Sequence, residues 1–346
     1  MSGFDFVGDV HGHVGELAVL LRVLGYEERT LGGSRAFRHP SRTAVFVGDL
    51  IDRGPEVRET LRLVRSMVEA GSALCALGNH EFNALGFHTE DPDRPGEFLR
   101  WHTGAHREQH RATLEQVPAG ELASHLEWFR TLPFTLELGA EDGRRRVVHA
   151  CWDAPSLAVV AEALDRHGGL SEGFLVEAHE RGSPLYDAVE ILLKGKEMQL
   201  PAGHEFVDKD GSVRDRARVR WYLEPDGHDA RSYVLQRRAA WPVPGAADGA
   251  WDDESDEDGE APLADPLAPL AGVPIPERVR AEARPYAGTE PPVFVGHYWL
   301  EDPEPELLAP NVACLDFSVA RGGFLCAYRS DGEPRLERER FVWLPR

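Results

Sequence analysis

One pattern of apolar and polar positions recurs along the chain. A short apolar run ends in a polar residue, usually just after a glycine. Three copies lie early: Phe4-Asp5-Phe6-Val7-Gly8-Asp9, Ala44-Val45-Phe46-Val47-Gly48-Asp49 and Ala73-Leu74-Cys75-Ala76-Leu77-Gly78-Asn79. Two more follow, Val147-Val148-His149 and Pro292-Val293-Phe294-Val295-Gly296-His297. Runs this short and this rich in Val and Phe predict buried strands. Amphipathic helical stretches follow the first three, near residues 14–24, 57–70 and 79–86. Strands alternating with helices imply an α/β fold, which binds ligands at the carboxyl ends of its strands. Five strand ends, each delivering a metal-ligand residue type, therefore point at one shared pocket.

The remainder is less regular. Residues 97–116 predict a helix that Gly104 weakens, and residues 155–193 read as mainly helical. Residues 198–222 predict a hairpin turning at Asp208-Lys209-Asp210-Gly211. From 241 to about 276 the chain turns to Pro, Ala, Gly and acid, including Asp252-Asp253-Glu254-Ser255-Asp256-Glu257-Asp258. Such a stretch buries too little apolar surface to offset its ordering entropy, which predicts a disordered acidic loop at about 245–275. His297 lies beyond that loop. The expectation is therefore one domain over 1–346 with an insertion at about 155–290.

Composition narrows the partners. The formal net charge is −21. Such a surface repels nucleic acid and anionic membranes, so no extended nucleic-acid groove is expected. An anionic substrate needs a local reversal of sign, which bound divalent cations supply more strongly than any side chain. No apolar run approaches the ~20 residues of a membrane span, and the amino terminus lacks a signal-peptide pattern. Cys75, Cys151, Cys314 and Cys326 are scattered without CxxC pairing, as expected of reduced thiols in a cytoplasmic protein.

Each strand-end residue is a weak signal alone. Together they form a set: Asp9-x-His11, then Asp49, Asn79, His149 and His297. Mn²⁺, Fe²⁺ and Zn²⁺ accept this mixture of carboxylate, imidazole and amide oxygen. Two ions about 3.5–4 Å apart need one carboxylate that reaches both, and Asp49 is the natural bridge.

At this point the residues resemble a known family. Gly8-Asp9-Val10-His11-Gly12, Gly48-Asp49-Leu50-Ile51-Asp52-Arg53-Gly54, Gly78-Asn79-His80-Glu81, His149-Ala150 and Gly296-His297 look like the five motifs of calcineurin-like metallophosphoesterases. Asp-Arg-Gly with Asn-His-Glu is the version of the phosphoprotein phosphatase (PPP) branch, which includes bacterial protein phosphatases and symmetrical diadenosine tetraphosphate hydrolases. The match is dense over residues 5–87 and leaves 155–290 uncovered. The resemblance implies that Asp9, His11 and Asp49 hold one ion, while Asp49, Asn79, His149 and His297 hold the other. It implies two divalent ions, manganese first with iron (Fe²⁺ or Fe³⁺) or zinc as alternatives. It also implies a central β-sandwich flanked by helices in α-β-β-α layers. Two departures stand out. Cys151 replaces the usual glycine after His149-Ala150, and Tyr298-Trp299 follow His297 without the second His of many broader relatives.

The neighbouring residues suggest the remaining chemistry. His80 follows Asn79 directly, and Asp52 could orient it as a general acid that protonates the leaving oxygen. Arg53 could clamp phosphate oxygens with its planar fork, although a local turn salt bridge would also explain Asp52-Arg53. Arg214, Arg216, Arg218 and Arg220 alternate with Val213, Asp215, Ala217, Val219 and Trp221, so an extended strand would project all four from one face. That face is either a phosphate-facing wall, with Arg218 or Arg220 contacting substrate, or an edge strand protected by charge. His102, His106 and His110 are spaced by four. The first pair resembles a zinc motif, but Thr103 stands where Glu would act as base, so a solvated or cleft-facing histidine stripe is expected.

The expected activity is metal-dependent hydrolysis of phosphomonoesters on proteins or small molecules. A dinucleoside polyphosphate hydrolase or a phosphodiesterase of nucleic-acid ends is the alternative. A non-catalytic phospho-binding adaptor is a further one, but such a protein should have lost ligands, and none of the six is missing.

Overall fold

The predicted strands form, and each ends one to four positions before its polar residue. In the computed structural model, which describes residues 3–31, 33–140, 143–207, 213–235 and 267–345, they are Gly3–Val7, Arg42–Phe46, Ala73–Cys75, Arg145–Val148 and Val293–Val295. The first three lie side by side in parallel, so their carboxyl ends reach the same edge. Phe324–Ser330 runs antiparallel to Gly3–Val7, and it also pairs with Asp316–Phe317 and Phe341–Trp343. A second sheet is ordered Val312–Cys314, Val293–Val295, Arg145–Val148, Thr135–Leu138, the first three parallel.

The two sheets meet through aromatic side chains. Phe6 stacks on Phe294 with ring centroids 3.7 Å apart, and Tyr328 stands 5.1 Å from Phe294. All three are fully buried, so the core lies between the sheets. Helices flank the sandwich. Val14–Val23 buries Leu17, Leu20 and Leu21, while Val57–Glu69 buries Leu61 and Val64. Each such side chain contributes about 1.5–3 kcal/mol when fully buried. The fold is α/β, with sheets flanked by helices as expected.

Two helix boundaries differ from the pattern. The helix expected over 97–116 begins at Gly104, because Thr103 caps it by accepting from the His106 N–H at 3.1 Å. Gly104 thus occupies a helix start, where it costs little, rather than an interior. Residues 155–193 resolve into Ala154–His167, Glu172–His179 and Pro184–Lys194, the first two capped by Asp153 and Ser171. Among the described residues no helix is long and apolar enough to cross a membrane.

The chain separates into two compact units, Met1–Lys194 with Ala287–Arg346, and Gly195–Tyr286. Residues 155–194 of the expected insertion thus belong to the sandwich unit. In the second unit Glu197–Gln199 pairs antiparallel with Arg216–Arg218, and Phe206–Val207 with Val213–Arg214. The expected turn at Asp208-Lys209-Asp210-Gly211 lies outside the described residues, as does the acidic run 252–258. Residues 267–275, expected to be loop without packing, instead carry Leu267, Leu270 and Ile275 into the core of this unit beside Met198, Phe206 and Val219. Average composition concealed these three apolar anchors.

Candidate metal centre

The five strand ends are drawn together by backbone hydrogen bonds. The N–H groups of Val10 and His11 both donate to the Asp49 carbonyl, at 3.1 and 2.9 Å. The Gly296 N–H donates to the His149 carbonyl at 2.8 Å, and the His297 N–H to Asp9 Oδ2 at 3.0 Å. The glycines before Asn79 and His297 have a steric reason. A Cβ on Gly78 would overlap Asp49, and one on Gly296 would overlap Asp9 Oδ1. The loops also hold left-handed backbone at residues other than glycine: His11 (φ 42°), Asp49 (54°), Asp52 (68°), Arg53 (66°), His297 (72°) and Trp299 (52°). Such conformations cost of order 1–3 kcal/mol each and persist only where the surroundings enforce them.

Two donor groups share one carboxylate. His11, Asp49 and His80 form one, and Asp49, His149 and His297 the other, with ligand atoms within 4.8 Å of one another in each. Asp49 Oδ2 lies 3.6 Å from His11 Nε2 and 3.3 Å from His149 Nε2. Asn79 Oδ1 lies 2.7 Å from His297 Nδ1 and 3.0 Å from His149 Nε2. The resemblance supplied Asp9 to the first group where proximity supplies His80. Asp9 nonetheless borders it, holding the His297 N–H with one oxygen.

The donors fit divalent cations. His11 donates Nδ1–H to the Ile51 carbonyl at 2.8 Å, which turns the Nε2 lone pair inward. Burial and the neighbouring His80 push its pKa down to about 3, so that lone pair stays available. His11 Nε2 and Asp9 Oδ1 are both buried without a hydrogen-bond partner. Burial also raises the Asp9 carboxyl well above its ordinary range, and the charges of Asp316 and Asp49 add to this. His149 donates Nδ1–H to the Val47 carbonyl at 2.9 Å. Burial opposes its protonation, yet the Asp49 carboxylate pushes its pKa up to about 10, a measure of how strongly positive charge is favoured at Nε2. Orphaned lone pairs and crowded carboxylates are what a pair of cations sharing Asp49 would satisfy.

His80 and Asp52 come together as expected. His80 Nδ1 and Asp52 Oδ2 are 2.6 Å apart, and His80 Nε2 stands 3.9 Å from Asp49 Oδ2. Asp52 also binds residues of the helix Gly104–Gln116. Its Oδ1 accepts from His110 Nδ1 at 2.8 Å and from the Thr113 hydroxyl at 2.5 Å. Burial alone would raise this carboxyl, but the hydrogen bonds from His110 and His80 hold it below the usual carboxylate range. Arg53 lies over the Trp299 indole, its guanidinium carbon 4.4 Å from the ring centroid.

The histidine stripe divides. His110 is buried against Asp52, and its Nε2 lies 3.2 Å from His88 Nε2. His106 donates to the Trp101 carbonyl, while the His102 ring stacks on Phe87 and Phe98. His102 precedes the helix, so the three never form one solvated face. Spacing alone could not show that His110 meets a carboxylate from another loop.

Glu81 closes the Gly78-Asn79-His80-Glu81 motif. Fully buried, it accepts from the N–H groups of Asp49 at 2.9 Å, Leu50 at 2.8 Å, Ile51 at 3.3 Å and Gly78 at 3.1 Å. It therefore fixes the loop that carries the shared carboxylate. Burial, then the charge of Asp49, raises its pKa to about 7 against these donors. Its place at the third position of helix Asn79–His88, reaching back as in a capping box, was the available signal.

Arg218 and Arg220 lie in the second unit, half-buried and alternating with buried Ala217 and Val219. The expected single strand breaks at Asp215, whose carbonyl accepts from the Leu200 N–H at 2.8 Å. Arg214 consequently belongs to a separate ladder from Arg216 and Arg218.

Comparison with known proteins follows the same outline. The chain is 49% identical over 78 residues to the asymmetrical bis(5'-nucleosyl)-tetraphosphatase PrpE of Halalkalibacterium halodurans, a match covering 22% of this chain and 30% of that protein. It is 33% identical over 135 residues to the symmetrical bis(5'-nucleosyl)-tetraphosphatase of Shewanella sp. (strain MR-7), covering 38% of this chain and 39% of that one. The chain thus spans about a third of the length of these curated relatives. A solved protein serine/threonine phosphatase from Saccharomyces cerevisiae superimposes with a TM-score of 0.47 at 12% identity, over 99% of this chain and 79% of that one. The calcineurin-like phosphoesterase family matches residues 3–230, and with that span, well over half its length, the chain belongs to this family.

Proposed function

We propose that the chain is a two-metal phosphohydrolase whose own proton donor is His80. The observation that carries this reading is the Asp49 carboxylate, shared by two groups of donors with the His80–Asp52 pair beside it. Asp9, His11 and Asp49 would hold one ion, and Asp49, Asn79, His149 and His297 the other. Manganese is the proposed ion, because carboxylate and amide oxygens are mixed with imidazole. Bound there, two divalent ions supply Lewis-acid activation of water and neutralisation of phosphoryl oxygens.

The protein's own groups do the rest. With His80 Nδ1 committed to Asp52, Nε2 is the atom that faces the shared carboxylate. In its protonated form it gives that proton to the leaving oxygen. His110 and Thr113 hold Asp52 in place, and Asp52 holds the ring. Arg53 presents two parallel N–H donors to non-bridging phosphoryl oxygens.

The names of the relatives move the proposed substrate from phosphomonoesters toward dinucleoside polyphosphates. Four buried cysteines, none of them in a disulfide, support the reading of a reducing, cytoplasmic setting. The test compares 4-nitrophenyl phosphate, bis(4-nitrophenyl) phosphate and diadenosine tetraphosphate, each with Mn²⁺, Fe²⁺ or Zn²⁺. Preference for the dinucleotide supports the proposal. Preference for the simple monoester returns the substrate to a phosphatase class, and no turnover by metal-loaded protein would sink the enzymatic reading.

A further inference from the structure

Two helices of the sandwich unit are joined through one side chain. Gln116 is the last residue of the helix Gly104–Gln116, and the helix Val57–Glu69 begins beside it. The Gln116 Oε1 accepts from the Val57 N–H at 2.7 Å, and Nε2 donates to the Gly54 carbonyl at 2.9 Å. One partner is a donor and the other an acceptor, so a single orientation of the amide satisfies both. Glu56, just before the helix Val57–Glu69, makes no side-chain capping bond, and the Gln116 oxygen supplies the cap instead.

The bond to Gly54 does something else. His110, Thr113 and Gln116 are spaced by three along one helix, and each binds the segment 52–57. Thr113 Oγ1 also accepts from the Asp52 N–H at 3.1 Å, and the Gly54 N–H donates to the Asp52 carbonyl at 2.7 Å. Asp52 and Arg53 both have left-handed φ, 68° and 66°, so their turn persists only where its surroundings enforce it. On its other side the segment packs on the loop of His11. A Cβ on Gly54 would overlap the His11 carbonyl oxygen, and the Glu56 N–H donates to the Gly12 carbonyl at 2.9 Å. Gln116 therefore closes the turn from behind. Releasing Gly54 would free the strained pair Asp52-Arg53 to relax, and Asp52 is the carboxylate that holds the His80 ring.

We infer that Gln116 is a positioning residue for the proton donor: through Gly54 it holds the Asp52-Arg53 turn in the conformation that keeps His80 aimed at the leaving oxygen. The inference rests on the phosphohydrolase reading and extends its machinery from Asp52 back to the end of the helix behind it.

Only an amide serves both partners, and this separates the two roles. Gln116→Glu keeps an acceptor for the Val57 N–H, and negative charge at a helix start is favourable, so the cap survives. The same change sets a carboxylate oxygen against the Gly54 carbonyl, so the hold on the turn is lost. Gln116→Met removes both bonds.

The experiment compares wild type, Gln116→Glu and Gln116→Met in the full chain loaded with Mn²⁺. It measures turnover of phenyl phosphate and 4-nitrophenyl phosphate, metal content and thermal midpoints. With diamagnetic Zn²⁺ in place of Mn²⁺, it also records the proton resonance of the His80 Nδ1–H, which the 2.6 Å bond to Asp52 shifts downfield. Gln116→Glu should keep its midpoint and both ions yet lose about 10- to 100-fold on phenyl phosphate, whose leaving oxygen needs a proton. On 4-nitrophenyl phosphate the loss should stay within about threefold, and the His80 resonance should move upfield. Gln116→Met should show the same selectivity with a lowered midpoint. In a His80→Ala background, Gln116→Glu should cost phenyl phosphate turnover nothing further. Equal losses for both substrates, or losses confined to Gln116→Met in step with its midpoint, would make Gln116 a helix cap alone and overturn the inference. An unmoved His80 resonance in Gln116→Glu would overturn it as well. Should wild type hydrolyse neither ester, the phosphohydrolase reading fails, and the resonance by itself decides whether Gln116 holds the Asp52 turn.

Discussion

The edge of the sandwich unit that carries the candidate ligands and the core of the second unit are built from opposite materials. At the edge, Asp9, Asp49, Asp52, His80, Glu81 and His149 are all buried, and Asp49 and Asp52 sit on left-handed backbone. In the second unit Met198, Phe206, Val219, Leu267 and Leu270 are buried, and its arginines alternate away from that core. Burying charge is costly unless it is paired or bound to cations, whereas burying apolar surface is directly stabilising. The edge therefore has the construction of a chemical device, and the second unit that of a support. Substitutions at the edge should alter metal content and chemistry. Those in the second unit should alter folding or substrate affinity.

The comparison is most exposed at Asp49. Asp49→Ala removes the carboxylate common to both donor groups, so both ions should be lost together with essentially all turnover. Metal analysis of the purified variant decides this. Two ions still bound would mean that the groups do not share Asp49.

His80 should have the next largest effect, and a selective one. General-acid catalysis contributes about 10²–10⁴-fold where the leaving oxygen needs a proton. His80→Ala should lose that factor on alkyl phosphates and far less on 4-nitrophenyl phosphate, whose phenolate leaves unaided. Asp52→Asn should show the same selectivity more weakly. Metal content distinguishes the two roles that the geometry offers His80. Loss of an ion from His80→Ala would make it a ligand beside His11 and Asp49 rather than an acid.

Glu81 tests whether positioning matters as much as ligation. Glu81→Gln replaces an acceptor oxygen with an amide that faces four backbone N–H groups. An unsatisfied buried group costs about 1–3 kcal/mol, so the thermal midpoint should fall and metal affinity weaken with it. Calorimetry and metal titration of the variant give the answer. An unchanged midpoint would mean that Asp49 is held by its own loop alone.

These residues also mark how far sequence reading reached. The convergence of Asp9, His11, Asp49, Asn79, His149 and His297 was legible because each stands at or just beyond the end of an apolar run, and parallel strands bring those ends together. Glycine before the ligand was a second signal, explained by the close approach of neighbouring loops. His110 and Thr113 were not legible. Each acts by touching a loop far away in sequence, and no local period encodes that contact. Leu267, Leu270 and Ile275 were hidden for a different reason, since three anchors near an acidic run do not change its average composition. Arg216, Arg218 and Arg220 do alternate with buried Ala217 and Val219, but the break at Asp215 is a matter of which carbonyl finds a donor.

In the second unit, effects should be smaller and confined to affinity. Arg218→Ala or Arg220→Ala should raise KM severalfold and leave kcat close to wild type, the signature of lost uniform binding. A fall in kcat at unchanged KM, with metals retained, would give this unit a part in the chemical step. Unchanged kinetics for both variants on monoester and dinucleotide alike would leave only the protected-edge explanation.

The smallest effect is expected from the acidic stretch, and it sets the boundary between support and device. Its composition offers little apolar surface to bury and no candidate ligand. Replacing residues 246–265 with a short Gly-Ser linker should leave turnover of 4-nitrophenyl phosphate within about threefold, since closure entropy changes only slowly with the length of a connecting segment. Extending the replacement through Ile275 should behave quite differently. It removes Leu267, Leu270 and Ile275 from the core of the second unit, and each contributes about 1.5–3 kcal/mol by burial. The longer replacement should therefore unfold that unit, detectable as rapid proteolysis within 195–286, while the metal content of the sandwich unit is retained. The decisive outcome is the shorter replacement. If it abolished turnover with both ions bound and the thermal midpoint unchanged, the acidic stretch would belong to the reacting site, and the contrast between a chemical edge and an apolar support would fail.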